Sequence, residues 1–457
     1  MFRAFLNVVK VKELRNRLLF TAGIIVLVRM ASLIPCPGVN AAALDSFMQD
    51  VAASAGGGIM QTINMFSGGA LEKFALAALG IMPYISASII MQLVVPIFPQ
   101  LERLQREGES GRGKINQYTR YLTILICLIQ GVMAAYVIVN PQNLGFSATK
   151  LYDGSQGAFI FMTVVVLTAT TMVFMWLGEQ ITERGIGNGV SIIITIGIIA
   201  RLPQAVIELI SVIRQGQAGG QPFRLVHLLI LLLLFVAVTA LTIMLTQGTR
   251  KIPIQVARKT VGTQVRGGTT YMPLKVNLAN VMPIIFAGAI MMIPTAIFQF
   301  LAARMGEDGA TMASLAVAFG STDSIAYMIT YSVLIIAFCF FWVANVFKPT
   351  QIADNLKREG AYIPGIPPGQ ATSKYLDATM TRVTFGGAIF LTLLALLPSL
   401  LTAQFGVSQL VTGFFGGTSI LIMVGVVLDT MTQLESHLTM RNYDGFMKSG
   451  KLKGRRG

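Results

Sequence analysis

Long apolar runs alternate with short polar clusters along the whole chain. A helix rises about 1.5 Å per residue and the hydrocarbon core of a bilayer is about 30 Å thick, so about 20 apolar residues can cross it. Ten runs approach that size and are predicted to be membrane-spanning helices: 18–34, 74–98, 121–139, 158–177, 190–212, 225–246, 280–303, 325–347, 383–402 and 413–434. The pattern predicts a membrane protein with ten spans.

Composition and charge agree with that prediction and orient the chain. Of the 457 residues, 54% are hydrophobic and only 12% are charged, against about 25% charged in an average soluble domain. The 35 Lys and Arg residues exceed the 20 Asp and Glu residues, which gives a net charge of +15. Most of these basic residues lie in the two terminal segments and in alternate connections between spans. Because basic residues favour the cytoplasmic side, both termini are predicted to be cytoplasmic.

The sequence offers no pattern that indicates catalysis, a cofactor or a metal. Its cysteines and histidines are scattered: Cys36, Cys127, Cys339, His227 and His437. Segment 108–114 has the glycine and lysine spacing of a phosphate-binding loop, but Ile115 stands where a hydroxyl residue must bind magnesium. We therefore expect no enzyme. Ionisable residues are also sparse inside the predicted spans, which favours a passive conduit over an ion-coupled carrier.

Segment 56–73 is a short apolar stretch between glycine clusters. Its apolar part, 59–66, is too short to cross a bilayer. Two interpretations stay open: a surface loop, or a re-entrant element that is tolerated at membrane depth because protein or a water-filled cavity surrounds it.

A Met-Pro step occurs near the start of the second and of the seventh predicted span, as Met82-Pro83 and Met282-Pro283. These spans hold the same place in two successive sets of five. An odd number of spans per set reverses the orientation of the second set, so the echo is a hint of an inverted repeat.

Two cytoplasmic connections, 247–277 and 348–382, are longer than a turn requires. Their basic residues include Arg250, Lys251, Arg258, Lys259, Arg266, Lys357, Arg358 and Lys374. These charges either determine membrane topology alone or dock an anionic partner, such as RNA phosphates or an acidic protein surface. Spacing along the chain does not separate the two interpretations.

Several longer stretches closely resemble the SecY family, the central subunit of the bacterial protein-conducting translocon. They are Asn64–Ala70 (NMFSGGA), Gly80–Ser88 (GIMPYISAS), Glu107–Arg112 (EGESGR), Gln117–Tyr121 (QYTRY), Trp176–Asn188 (WLGEQITERGIGN) and Ala353–Gly365 (ADNLKREGAYIPG). The likeness runs in order from the first span to the C-terminal tail and covers nearly the whole chain.

The resemblance implies an all-α polytopic membrane protein, with ten transmembrane helices in two pseudo-symmetric inverted five-helix halves around an hourglass pore. The corresponding divisions are a cytoplasmic N-terminal segment 1–17, a first half 18–212 that contains the plug segment 56–73, an external connection 213–224, a second half 225–434 with cytoplasmic loops 247–277 and 348–382, and a cytoplasmic tail 435–457.

The resemblance also implies site residues. A ring of aliphatic side chains would seal the pore: Ile81, Ile85, Val190, Ile194, Ile285 and Ile422. The plug would include Ile59, Ile63, Met65, Phe66, Ser67, Gly68 and Gly69. A lateral gate between helices would involve Gln130, Pro83 and Pro283, although a polar helix contact unrelated to gating explains Gln130 equally well.

The function implied by the resemblance is passage of unfolded preproteins across the inner membrane and lateral release of membrane-protein segments into lipid. The implied partners are the companion subunits SecE and SecG, and the SecA ATPase and the ribosome, which would dock on the basic loops. One position departs from the family pattern: Pro367 stands where an arginine is usual, so Lys357, Arg358 and Lys374 are expected to carry more of the docking. A secondary transporter of a small solute is the alternative function, and a structural membrane scaffold is a third class.

Overall fold

The chain is mostly helical in a computed structural model. The described residues are 11–53, 64, 67–141, 150–218, 221–222, 224–256, 259–261, 264–266, 269–305, 310–322, 324–415 and 418–449. Among them, eight helices are long and apolar enough to cross a membrane: Lys12–Leu33, Glu109–Val139, Gln156–Arg184, Gly189–Gln215, Val226–Gln247, Ile325–Arg358, Gln370–Phe405 and Leu410–Ser436. They coincide with eight of the ten predicted spans, so the multi-pass architecture is confirmed.

The second and seventh predicted spans differ from simple helices. The second is Met82–Ile97, which turns by 100° into Pro99–Arg106; counting this bent pair as one span gives nine. Pro96 within the helix and Pro99 after it explain the break, since proline removes a helical hydrogen bond and disfavours helix in the preceding residue. The seventh is Met282–Met305, which contains Pro294. The count of ten stays a prediction.

The chain divides into two compact units. The first extends to Pro203 and includes the chain from Ile422 onward. Its helices are α1 (Lys12–Leu33), α2 (Ala41–Ala53), α3 (Met82–Ile97), α4 (Pro99–Arg106), α5 (Glu109–Val139), α6 (Gln156–Arg184) and α7 (Gly189–Ala200). Buried aromatic and aliphatic side chains from α2, α5, α6 and the segment before α3 form one core cluster: Phe47, Phe74, Ile138, Phe159 and Leu167.

Glycines in, or directly after, two family-like motifs allow close helix packing in the first unit. A Cβ atom at Gly189 would overlap the carbonyl oxygen of Gly178, and one at Gly111 would overlap that of Leu104. Between α6 and α7, the side chain of Asn188 accepts a 3.2 Å hydrogen bond from the Ser191 N–H and caps α7. These motifs therefore build tight turns.

The second unit runs from Gln204 to Leu421. Its elements, together with two that cross its boundaries, are α8 (Leu202–Gln215), β1 (Gln217–Ala218), β2 (Gln221–Pro222), α9 (Leu225–Gln247), β3 (Thr249–Val256), β4 (Lys259–Val261), β5 (Gln264–Arg266), β6 (Thr269–Lys275), α10 (Met282–Met305), α11 (Ala310–Gly320), α12 (Ile325–Val346), α13 (Pro349–Arg358), β7 (Ala361–Tyr362), α14 (Gln370–Phe405), α15 (Gln409–Phe415) and α16 (Thr418–Ser449).

The two long basic connections form one small sheet of order β6-β3-β7. Strand β3 pairs with β6 so that Ile252 lies opposite Met272, and its far end pairs with β7, with Gln255 opposite Tyr362. The alternate residues Ile252 and Ile254 are buried. We call β3, β6, β7 and α13 the ribbon subdomain. It packs against α12 and α14, and the shared core cluster contains Ile252, Leu274, Ala279, Val343, Ile363, Leu376 and Met380.

Candidate functional site

The first pair of predicted pore-ring residues lies where α3 begins. Ile81 is the N-cap residue of α3, and the N–H of Ile85 donates a 3.1 Å hydrogen bond to its carbonyl oxygen. The two side chains are one helical turn apart and are 4% and 7% exposed. Ile81 and Ile85 therefore lie one above the other on the same face at the start of α3, and their role in a pore ring stays a prediction.

The other predicted ring residues lie on three different helices. Val190 and Ile194 are in α7, and Ile422 is in α16 of the same unit; Ile194 and Ile422 are buried. A methyl of Val190 lies 3.5 Å from the point that a Cβ at Gly178 would occupy, so this side chain packs towards α6. Ile285 is half-buried in α10 of the second unit. The ring as a whole stays a prediction.

The predicted plug is described in its C-terminal part only. Ile59, Ile63, Met65 and Phe66 lie outside the described residues. The other predicted plug residues, Ser67, Gly68 and Gly69, lie close to Asn64 in a compact turn. We call Asn64 together with residues 67–72 the plug turn. Asn64 and Ser67 are buried and Ala70 has no exposed surface. This burial favours the re-entrant interpretation over a surface loop.

Backbone geometry explains the two glycines of the plug turn. Gly68 and Gly69 have φ values of +68° and +86°, a region that glycine adopts without steric cost. The carbonyl oxygen of Asn64 accepts a 2.9 Å hydrogen bond from the Gly69 N–H and a 3.1 Å bond from the Ser67 hydroxyl. The turn is thus closed by its own hydrogen bonds.

An ion pair that the sequence did not predict fastens the plug turn to α7. The Nη2 atom of Arg201, the C-cap residue of α7, lies 2.7 Å from Oε2 of Glu72. The same carboxylate oxygen accepts a 3.0 Å hydrogen bond from the Asn64 side-chain amide, whose Oδ1 accepts from the Glu72 N–H at 3.1 Å. Glu72 is therefore bonded within the turn and to the helix.

A second arginine contacts the same turn from α1. Nη1 of Arg29 donates a 3.2 Å hydrogen bond to the carbonyl oxygen of Gly68. A Cβ at Gly68 would lie 3.0 Å from the Cα of Gly197, so the turn also lies directly against the backbone of α7. The plug turn is held between α1 and α7 by two cationic side chains and a glycine contact.

The predicted gate residues include two buried prolines. Pro83 and Pro283 each occupy the second position of their helix, α3 and α10, where the missing N–H has no helical partner to lose. Gln130 is half-buried in α5. The resemblance between the two helix starts extends backwards, because Gly80 and Asn280 both have positive φ values, +56° and +51°.

The predicted docking residues are exposed wherever their side chains are described. Arg250 and Lys251 are exposed on β3, and Lys357 and Arg358 are exposed in the last turn of α13, where cations favour the helix dipole. Lys374 is exposed in α14. Pairing of β3 with β7 joins both basic connections in the ribbon subdomain, which sequence spacing did not reveal.

Three remaining positions complete the predicted docking surface. Lys259 and Arg266 are paired opposite each other in the backbone of the β4–β5 hairpin, and Arg258 lies outside the described residues. Pro367, the departure from the family pattern, is exposed, and its carbonyl oxygen accepts a 2.9 Å hydrogen bond from the Thr372 hydroxyl.

Two of the family-like motifs meet in an ion pair. Arg120 of the QYTRY stretch contacts Glu179 of the WLGEQ stretch through two hydrogen bonds of 2.7 and 3.3 Å. This bidentate pair joins α5 to α6. In the part of the chain that the structure describes, no group of three His, Cys, Asp or Glu residues could hold a metal ion.

Comparison with known sequences finds one family. The SecY family model matches residues 75–431. The chain is 42% identical over 446 residues to the protein translocase subunit SecY of Escherichia coli K12, covering 97% of this chain and 96% of that protein. It is 41% identical over 464 residues to the SecY subunit of Chlamydia muridarum, covering 98% and 99%.

Comparison with solved structures finds the same fold. A protein-conducting channel superposes with a TM-score of 0.57 at 18% identity, with 92% of each chain covered. A SecY structure, whose plug domain stabilises its closed state and maintains a membrane seal, superposes with a TM-score of 0.56 at 19% identity and the same coverage.

These similarities confirm the resemblance inferred from the motifs. They also support the expected function of a protein-conducting channel subunit that is not itself an enzyme, and they do not favour a small-solute carrier. The chain belongs to the SecY family of protein-translocase subunits.

Proposed function

We propose that this chain forms the channel through which unfolded preproteins cross the bacterial inner membrane, and from which membrane-protein segments pass sideways into lipid. The observation that carries the proposal is the similarity at 42% identity to the E. coli translocase subunit over nearly the full length of both chains. The charge distribution supports cytoplasmic placement of both termini. SecE and SecG are the proposed companion subunits.

The ribbon subdomain is the proposed docking surface for the SecA ATPase and the ribosome. Its basic side chains are exposed on two connections that share one sheet, and a concentrated positive surface attracts RNA phosphates and acidic protein surfaces. Sec61 in a canine ribosome–channel complex has the same fold as this chain, with a TM-score of 0.52 at 18% identity.

Reconstitution tests the proposal directly. The chain is incorporated into vesicles with SecE and SecG, and SecA, ATP and an unfolded preprotein with a signal sequence are added. We expect the preprotein to become resistant to external protease only when ATP is hydrolysed. A non-hydrolysable ATP analogue and a preprotein without its signal sequence are the controls. Equal protection in all three reactions would contradict motor-driven transport.

The proposed pore ring has its own test. Six glycine substitutions, at Ile81, Ile85, Val190, Ile194, Ile285 and Ile422, are expected to raise ion conductance of the closed complex in a planar bilayer, because a dry aliphatic constriction resists ions. A matched variant carries six glycines at exposed aliphatic helix positions: Leu19, Leu27, Leu128, Val165, Leu233 and Val333. Equal conductance of the two variants would remove the ring assignment.

A further inference from the structure

We propose that Arg201 and Glu72 form an ionic latch that positions the plug turn in the closed channel. The inference rests on the proposed function of the segment as a plug and adds the residues that hold it. Arg201 is a positioning residue in this scheme: it holds the turn and does not contact a transported chain.

The burial of the two partners is unequal, and this makes the pair suited to release. The Arg201 side chain is 6% exposed, whereas that of Glu72 is 41% exposed. A nearly buried guanidinium needs a compensating carboxylate, because an unpaired buried charge is costly. The carboxylate is much less enclosed by the protein than the guanidinium, so Glu72 gives up fewer protein contacts when it leaves. The arginine therefore stays with α7, and the glutamate moves with the turn.

The hydrogen bonds of the plug turn are arranged so that it can move as one piece. Asn64 bonds to the side chain and to the backbone N–H of Glu72, and its own carbonyl oxygen binds the Gly69 N–H. These contacts connect residues of the same turn and persist if the turn leaves α7. Among the described residues, the contacts that must break include those of Glu72 with Arg201, of Gly68 with Arg29 and of Gly68 with Gly197.

The close approach of the turn to α7 locates the latch. A Cβ at Gly69 would lie 3.9 Å from Cδ, Cζ and Nε of Arg201, so the arginine side chain lies along the turn. The neighbouring residue, Gly68, packs against the backbone of Gly197, which lies in α7 one helical turn before Arg201. The backbone contact fixes where the turn sits, and the ion pair holds it there.

A double-mutant cycle tests the latch in the full chain, purified with the subunits that accompany it and fused into planar bilayers. Glu72→Gln keeps the shape of the side chain and removes its charge; Arg201→Gln removes the other charge. Each is expected to raise the frequency of spontaneous opening roughly tenfold. A fully buried pair would give a larger effect, but Glu72 is partly exposed. The double variant is expected to open no more often than either single variant, because both remove the same interaction.

Asp45→Asn is the matched control, since it removes an exposed carboxylate from α2 in the same unit. It should leave the opening frequency unchanged. Wild-type opening in both single variants, or additive effects in the double variant, would overturn the latch. ATP-driven preprotein transport is measured on the same samples. If the wild-type chain transports the preprotein and both single variants open as rarely as wild type, only the latch is refuted. If the wild-type chain transports nothing, the proposed function itself is refuted.

Discussion

The starts of helices α3 and α10 have the same backbone, yet the chain reaches them by different routes. In both, a residue with positive φ, Gly80 or Asn280, comes two positions before the Met-Pro step. In both, the methionine N–H donates a 3.3 Å hydrogen bond three residues back, from Met82 to Leu79 and from Met282 to Ala279. The sequence echo is thus a repeated structural unit.

The segments that lead into these helix starts have opposite characters. The buried plug turn, with its arginine contacts, precedes α3. The ribbon strand β6 precedes α10, and there Asn277 donates a 3.2 Å hydrogen bond to the carbonyl oxygen of Asn280. One route buries charge against helices, while the other displays it to solvent. If the proposed roles hold, the segment before each helix start determines whether it serves a seal or a docking surface.

The largest effect is expected from Ile252→Asp, which should disrupt the ribbon subdomain before α10 and leave the plug turn before α3 intact. Ile252 is 1% exposed in the core of the ribbon subdomain, so a carboxylate there costs about 3 kcal/mol or more in lost burial and desolvation. We expect rapid proteolysis within 247–277 and loss of SecA and ribosome binding, with closed-channel conductance unchanged. Tyr271→Asp, at an exposed position of β6, is the control. A rise in conductance would show that the ribbon subdomain and the plug turn are energetically coupled.

The next effect concerns the shared helix start itself. Gly80→Val places a β-branched residue in the left-handed region and is expected to destabilise by about 1–2 kcal/mol. Asn280→Val should cost a similar amount, because Asn280 has the same backbone conformation. Apparent unfolding midpoints in mild detergent measure both. Gly80→Asn is the control: it should be close to wild type, and a cost equal to that of valine would contradict a shared conformation.

The sequence predicted what depends on local pattern. Apolar length located eight helices. The two Met-Pro steps, noted as a hint of a repeat, lie at the starts of α3 and α10. The β-sheet of the ribbon subdomain was missed, because the basic residues were interpreted only for their charge. The signal was the alternation of Ile252 and Ile254 with Lys251, Pro253 and Gln255. The break after Ile97 was also missed, although Pro96 and Pro99 are typical signals of a helix end.

The latch could not be predicted from the sequence. Glu72 and Arg201 are 129 residues apart, and their contact depends on how the plug turn packs against α7. Arg29 and Arg201 lie within the predicted spans 18–34 and 190–212, and their spacing gave no sign of a shared target. The one local signal was a pair of arginines beside long apolar runs, where an ionisable residue is costly unless it has a partner.

A moderate effect is expected from Arg250→Glu combined with Lys251→Glu on the ribbon. Reversing two exposed charges should weaken SecA or ribosome binding about tenfold at low salt and much less at high salt, since screening removes long-range attraction. Binding is measured by sedimentation with vesicles across a salt series. Lys150→Glu, an exposed residue of the first unit, is the control. Unchanged binding with altered membrane orientation would favour the topology-only interpretation of these charges.

The smallest effect is expected at the predicted gate. Its measurement tests whether residues of the first unit other than the plug turn contribute to sealing. Gln130 is half-buried in α5, and a hydrogen bond between membrane helices contributes about 0.6 kcal/mol on average. Gln130→Leu should therefore change insertion of a marginally apolar test segment by no more than about threefold, whereas Gln130→Asn keeps the hydrogen-bonding group and should stay near wild type. Conductance of the closed channel should not change in either variant, because the plug-turn contacts are intact. Equal insertion by all three proteins would assign Gln130 to ordinary helix packing and confine sealing to the plug turn and the ring.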